Sequence, residues 1–247
     1  MELSAEQIKE NWEKLLKVID RSISGDRKGK LLSLYSKLES RMILAPASSK
    51  EHFHNAFPGG YVDHILRVVW CSLKTKALWE EMGATIDFSE EELIFSALNH
   101  DLGKIGSLQA EGYIEETSDW HKKNQGSFYK INPVLDFMLI PDRSLFLLQE
   151  SNIQVSQKEY LAIKLHDGTY EEVNKPYFVS FNPDSKLRSN IVHILHQGDF
   201  LASKIEYDNW KANKKPSLET PKSQKHTLSA AKNSKLGEGL KNIDFNL

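Results

Sequence analysis

The chain lacks most of what marks a secreted, membrane-spanning or strongly polyelectrolyte protein. It has one cysteine in 247 residues, so no internal disulfide framework can form. Cys71 falls within an apolar helical pattern, and its expected role is a small buried hydrophobe in a reducing compartment, not a nucleophile. No uninterrupted apolar run reaches the roughly 18 residues of a membrane-spanning helix. The opening Met1-Glu2-Leu3-Ser4-Ala5-Glu6 has neither the basic nor the apolar region of a secretory signal. An excess of one charge is also missing. With 32 Lys+Arg against 34 Asp+Glu the net charge is −2, so no global field draws in nucleic acid or membrane. These absences predict a soluble, cytoplasmic protein with no membrane association. Its 40% hydrophobic content is enough for a buried core in a chain that can be one domain with tails.

What is present is helical periodicity. Ser4 can cap a helix carrying Ile8, Trp12, Leu15, Leu16 and Ile19, and Leu31, Leu32, Leu34, Leu38 and Met42 mark a second after the Ser24-Gly25-Asp26 break. Residues 1–45 thus read as an N-terminal helical layer. Ile65, Val68, Val69 and Leu73 lie on one face of a helix over 61–82. Ser89 with Glu92 forms a capping box ahead of Leu93, Ile94, Ala97 and Leu98, in a helix from about Glu90 to Asp101. Further helices are expected over 133–140 and 143–150, broken at Pro141, over 156–165, and over 189–207. Between Gly103 and Gln125 the pattern dissolves into a loop. Tyr170 to Phe181 reads as a short hairpin, an aromatic lid that could stack a base, or simple packing. The fold class is all-α with a possible small β-hairpin insertion.

The chemistry centres on Asn99-His100-Asp101-Leu102-Gly103-Lys104. Adjacent side chains on a helix point about 100° apart, but at an end that unwinds they can converge on one ion. Imidazole nitrogen with carboxylate oxygen suits a transition metal. Alone the pair is weak, since a helix C-terminus also favours an imidazolium. Its company strengthens it: His52-Phe53-His54 and Phe57-Pro58-Gly59-Gly60-Tyr61-Val62-Asp63-His64 upstream, then Trp120-His121, Leu165-His166-Asp167-Gly168 and His196-Gln197-Gly198-Asp199. Asp199 stands among Ile191, Ile194, Leu195, Ala202 and Ile205, where a lone carboxylate is costly unless a cation or donors satisfy it. His193 and His196 on the same helix are left outside the ligand set.

This order of residues resembles the HD superfamily of metal-dependent hydrolases, and its motifs are similar to the HD domain of bacterial 3′-5′ exoribonucleases over roughly residues 50–207. The resemblance implies an HD-type metal-binding domain over 46–210, with His64, His100, Asp101 and Asp199 as the four-ligand core and His121 and His166 holding a second ion. It implies two divalent transition-metal ions (Mn, Fe, Co, Ni or Zn, with Mg possible), bridged by Asp101 and a water acidified to attack a phosphoester. Lys104 is then expected on a phosphate oxygen, and His54 or Asp167 at the leaving group or a nearby water. An ordinary helix-terminal cation is the plain alternative for Lys104. Where the relatives have two adjacent histidines this chain has His166-Asp167. The strand pattern of their oligonucleotide-binding barrel is also missing, which weakens the transfer of an RNA substrate. The expected activity is therefore a phosphohydrolase on a nucleotide or short nucleic-acid substrate. A di-iron oxygenase of the same superfamily and a nucleotide-sensing binding protein are the alternatives. The lysine-rich 211–247 reads as a disordered tail that could dock a protein or a polyanion.

Overall fold

Helices start where the sequence supplies caps. The computed structural model describes residues 3–53 and 55–214. Its elements run α1 (Ala5–Ser22), α2 (Gly25–Met42), α3 (Gly60–Glu81), α4 (Glu90–Asn99), β1 (Tyr113–Glu115), α5 (Asp119–Gln125), β2 (Tyr129–Ile131), α6 (Ile140–Glu150), α7 (Gln157–Leu165), α8 (Lys175–Phe178) and α9 (Ile191–Lys214), with short 3-10 turns over Leu102–Ile105 and 168–174. Ser4, Ser89 and Ser156 each accept a backbone N–H three residues on, from Gln7, Glu92 and Glu159, whose side chains accept the cap N–H in return. Each reciprocal box satisfies two N–H groups that would otherwise be orphaned.

The apolar stripes then share one core. Trp12, Leu15 and Ile19 of α1 and Leu31, Leu34, Tyr35 and Leu38 of α2 are buried in the same cluster as Ile65, Val68 and Val69 of α3 and Leu93, Ile94 and Phe95 of α4. The N-terminal layer therefore packs directly on the helices bearing the candidate ligands. Each of these buried Leu or Ile side chains contributes about 1.5–3 kcal/mol relative to exposure. Arg27 ties the layers at the rim, reaching Glu91 at 2.5 Å and the fully buried carboxylate of Glu159 at 2.6 Å.

Two close approaches set the geometry of the site. A Cβ at Gly198 would lie 2.2 Å from Ser72 Oγ and 2.8 Å from Ser72 Cα, so α3 and α9 meet almost backbone to backbone. That contact carries Asp199 alongside His64. At the end of α4, a Cβ at Gly103 would lie 2.2 Å from the Ile140 carbonyl. The bare glycine lets α6 seat Ser144 in the turn, where its hydroxyl accepts the Gly103 N–H at 2.7 Å and lies 3.0 Å from the His100 carbonyl. Tyr35 donates to the Leu98 carbonyl at 2.9 Å from the opposite side. The His100-Asp101 turn is thus held by buried hydrogen bonds from α2 and α6.

Several local expectations are corrected. The hairpin does not lie over 170–181: antiparallel β1 and β2 pair Tyr113 with Ile131 and Glu115 with Tyr129, β1 inside the stretch read as loop and β2 just beyond it, and α5 fills the connection. Residues 170–178 form 3-10 turns and α8, because Pro176 fits a first helical turn and has no N–H for a ladder. Residues 133–139 are turn and irregular chain. Pro141 starts α6 instead of interrupting a helix, since the first turn needs no N–H there. The last helix continues through 211–214. The rest of the expected tail, 215–247, lies outside the described residues. No helix among the described residues is long and apolar enough to cross a membrane. Cys71 is buried as expected, and burial pushes its thiol up to about 12.

Candidate metal centre

His64 points inward from the first turns of α3, His100 and Asp101 from the unwinding end of α4, His166 from the end of α7, and Asp199 from the middle of α9. Their side-chain atoms converge. His64 Nε2 lies 3.2 Å from Asp199 Oδ1 and 3.6 Å from Asp101 Oδ2, and His100 Nε2 lies 3.4 Å from Asp101 Oδ2 and 3.8 Å from Asp199 Oδ1. His166 Nε2 lies 3.6 Å from Asp101 Oδ1 and 3.3 Å from Asp167 Oδ2. His64, His100 and Asp101 offer one set of donor atoms within 4.8 Å of one another, and His100, His166 and Asp199 offer a second. All three imidazoles are buried.

The other ring nitrogens decide what these atoms can bind. His100 Nδ1 is 2.8 Å from the Ala97 carbonyl and His166 Nδ1 is 2.9 Å from the Ile163 carbonyl. A carbonyl only accepts, so both Nδ1 atoms carry the proton and a neutral ring turns an Nε2 lone pair inward. Lone pairs facing carboxylate oxygens repel unless a cation, either a proton or a metal ion, lies between them. His100 Nε2 is buried and makes no hydrogen bond, as expected of a ligand atom aimed at an ion. The cluster can therefore hold a metal ion.

Without that ion, protons supply the positive charge. Burial opposes charging of His64, but Glu206, Asp101 and Asp199 outweigh it and raise its pKa well above the ordinary value. His166 is likewise opposed by burial yet pushed up to about 9 by Asp167, Asp101 and Asp199. Asp101 is held well below the usual carboxylate range, against its burial, by Lys104 and His100. Lys104 Nζ sits 2.5 Å from Asp101 Oδ2.

Glu206 was not singled out in the sequence. It is 2% exposed, and both its oxygens lie 3.1 Å from His64 Nδ1. Arg67 holds it from behind, with Nε 3.2 Å from Glu206 Oε1 and Nη2 3.2 Å from Asp63 Oδ2. A carboxylate on the far nitrogen of a ligand histidine fixes its tautomer and raises its basicity. The available signal was spacing: Glu206 stands seven residues after Asp199, on the same face of the helix.

The other expected residues are placed as follows. Asp167 is at the edge of the cluster beside His166. His121 stands apart: it lies on α5, about half exposed, with Nδ1 3.2 Å from Glu116 Oε2, and the structure does not bring it to the other histidines. The hairpin holds it there, because Ser118 caps α5 and Glu116 is fixed by β1. His54 lies outside the described residues. His196 lines the cleft and its Nδ1 lies 2.6 Å from the His166 carbonyl, so it braces a candidate ligand from the backbone side. The cluster opens into a cleft of about 870 Å3, lined by Asp101, Lys104, His166 and Asp199, by Ser48 and Phe53, and by Phe200 and Lys204 further along α9. Comparison with protein-family models, curated proteins and solved structures finds no match.

Proposed function

We propose that the protein is a metal-dependent phosphohydrolase of the HD type, acting on a nucleotide or short oligonucleotide phosphoester. The observation that supports this reading is the convergence of His64, His100, Asp101, His166 and Asp199 from α3, α4, α7 and α9 on one buried point, with Lys104 beside the central carboxylate. His64, His100, Asp101 and Asp199 would hold one divalent ion. His166 would hold a second, with Asp101 in common. Mn, Fe, Co, Ni or Zn suits such a nitrogen and oxygen set, and Mg is possible. When bound, these ions supply Lewis acidity and bring the pKa of a coordinated water toward neutrality.

The chain's own groups then have defined tasks. Glu206 and the Ala97 and Ile163 carbonyls keep the three Nδ1 protons in place, so the Nε2 atoms stay available. Lys104, buried against Asp101, offers N–H donors to a phosphate oxygen as charge builds on it. Asp167, 38% exposed at the mouth, can orient the leaving group or accept a proton from water. Four carboxylates and two lysines line the cleft. Divalent ions held there would add positive charge, which favours a phosphate substrate over a neutral one.

The test is turnover of bis(p-nitrophenyl) phosphate and a panel of nucleotides by protein loaded with each metal, against the chelated protein and Asp101→Asn. Metal-dependent phosphoester cleavage abolished by Asp101→Asn is expected. Bound iron with oxygen uptake and no phosphoester cleavage would replace this reading with the oxygenase one.

A further inference from the structure

We infer that the cleft contains a second phosphate subsite, formed by Lys204 with Phe200 on α9, and that the substrate is a di- or oligonucleotide in preference to a nucleoside monophosphate. The inference rests on the phosphohydrolase reading and concerns what lies beyond its reacting phosphate. Lys104 already provides the cation beside the metal-binding cluster. Lys204 comes five residues after Asp199, about 7.5 Å further along the helix axis, and lines the same cleft. A monophosphate engaged at Lys104 has no second charge to offer it.

Lys204 is not tied into the fold by an ion pair among the described residues: it is exposed and has no carboxylate within salt-bridge distance, although Glu171 lines the same cleft. Its ammonium instead lies 5.0 Å from the centroid of the Phe200 ring. Phe200 is 42% exposed, and Phe53, which lines the same cleft, is 48% exposed. Exposed aromatic faces lining a cleft, one of them beside an unpaired ammonium, are what a stacked base with an adjacent phosphate requires. The cleft's volume of about 870 Å3 is that of a whole-ligand pocket and far exceeds a single phosphate.

The test uses the full-length metal-loaded protein with thymidine dinucleotides bearing a 5′-phosphate, a 3′-phosphate or neither, and with bis(p-nitrophenyl) phosphate. One of the two terminal phosphates is expected to raise kcat/KM at least tenfold over the bare dinucleotide. Lys204→Ala should erase that gain, Lys204→Arg should retain most of it, and Lys186→Ala should not alter the ratio. Phe200→Ala should lower kcat/KM on dinucleotides by roughly tenfold relative to bis(p-nitrophenyl) phosphate. The absence of a gain from either phosphate, or a gain that survives Lys204→Ala, overturns the subsite while leaving the phosphohydrolase reading intact. Hydrolysis of nucleotides but of none of these diesters likewise overturns the subsite alone, whereas failure of the unmodified protein on the diesters and the nucleotide panel alike, with any metal, overturns that reading and the subsite with it.

Discussion

Replacing Glu206 tests whether the carboxylate behind His64 serves metal binding or only packing. In the structure both oxygens are 3.1 Å from His64 Nδ1, and the side chain is 2% exposed although it borders a cavity shared with Asp63 and Arg67. In Glu206→Gln the amide oxygen can still accept the Nδ1 proton, and Arg67 keeps Asp63 at 3.2 Å, so the loss is mainly charge. Partners of this kind govern metal affinity by about 10- to 100-fold, and retention of the hydrogen bond places Glu206→Gln near tenfold, about 1.4 kcal/mol. Glu206→Ala also leaves a buried N–H without an acceptor, which places it near 100-fold and adds about 1–3 kcal/mol of lost folding stability. Competition titration against a chromophoric chelator measures the affinity, and thermal melting in excess chelator separates folding from binding. Glu206→Gln with unchanged metal affinity and unchanged melting would refute the reasoning.

Other outcomes follow from the same geometry. Gly198→Ala should force α9 off Ser72, lowering stability by about 1–3 kcal/mol in urea titration and weakening metal binding as Asp199 moves from His64. Arg27→Met should strand the fully buried Glu159 carboxylate, which burial already holds above its ordinary range despite the arginine. The cost should be about 3 kcal/mol at neutral pH and should shrink as pH falls and Glu159 protonates. The pKa of His166 is pushed up to about 9 in the metal-free fold. Its protonation therefore contributes stability that is fully present below the unfolded value near 6.5 and lost as pH rises through about 9, roughly 3 kcal/mol in total. Metal must displace that proton, so the rise in Tm on adding metal should be larger at pH 9 than at pH 6.5. Equal shifts at both would count against His166 as a ligand.

Much of the helical frame was legible because its signals are local. Ser89 with Glu92 marks the start of α4, and the spacing of Ile65, Val68 and Val69 marks the buried face of α3. Asp199 was legible as a carboxylate within an apolar stripe and His100-Asp101 as a pair at a helix end, whereas His64 and His166 were grouped with them only by the resemblance to the HD order of motifs. The failures came where tertiary context decides. Tyr113-Ile114-Glu115 and Tyr129-Lys130-Ile131 are too short to stand out as strands until each finds the other. Pro141 breaks a helix or starts one depending only on where the first turn falls. His121 looked like a ligand from its order in the chain, but the hairpin directs it to Glu116. Glu206 was hidden among ordinary helix-face charges, because only the packing of α9 on α3 shows that it meets His64.

The proposed chemistry requires that the buried cluster hold transition-metal ions. Elemental mass spectrometry on protein purified without chelator, alongside Asp101→Ala purified in the same way, tests it most directly. About two ions per chain are expected in the unmodified protein, with near-complete loss in Asp101→Ala. A folded, unmodified protein that carries no ion and takes up none from added Mn, Fe, Co, Ni or Zn would contradict it.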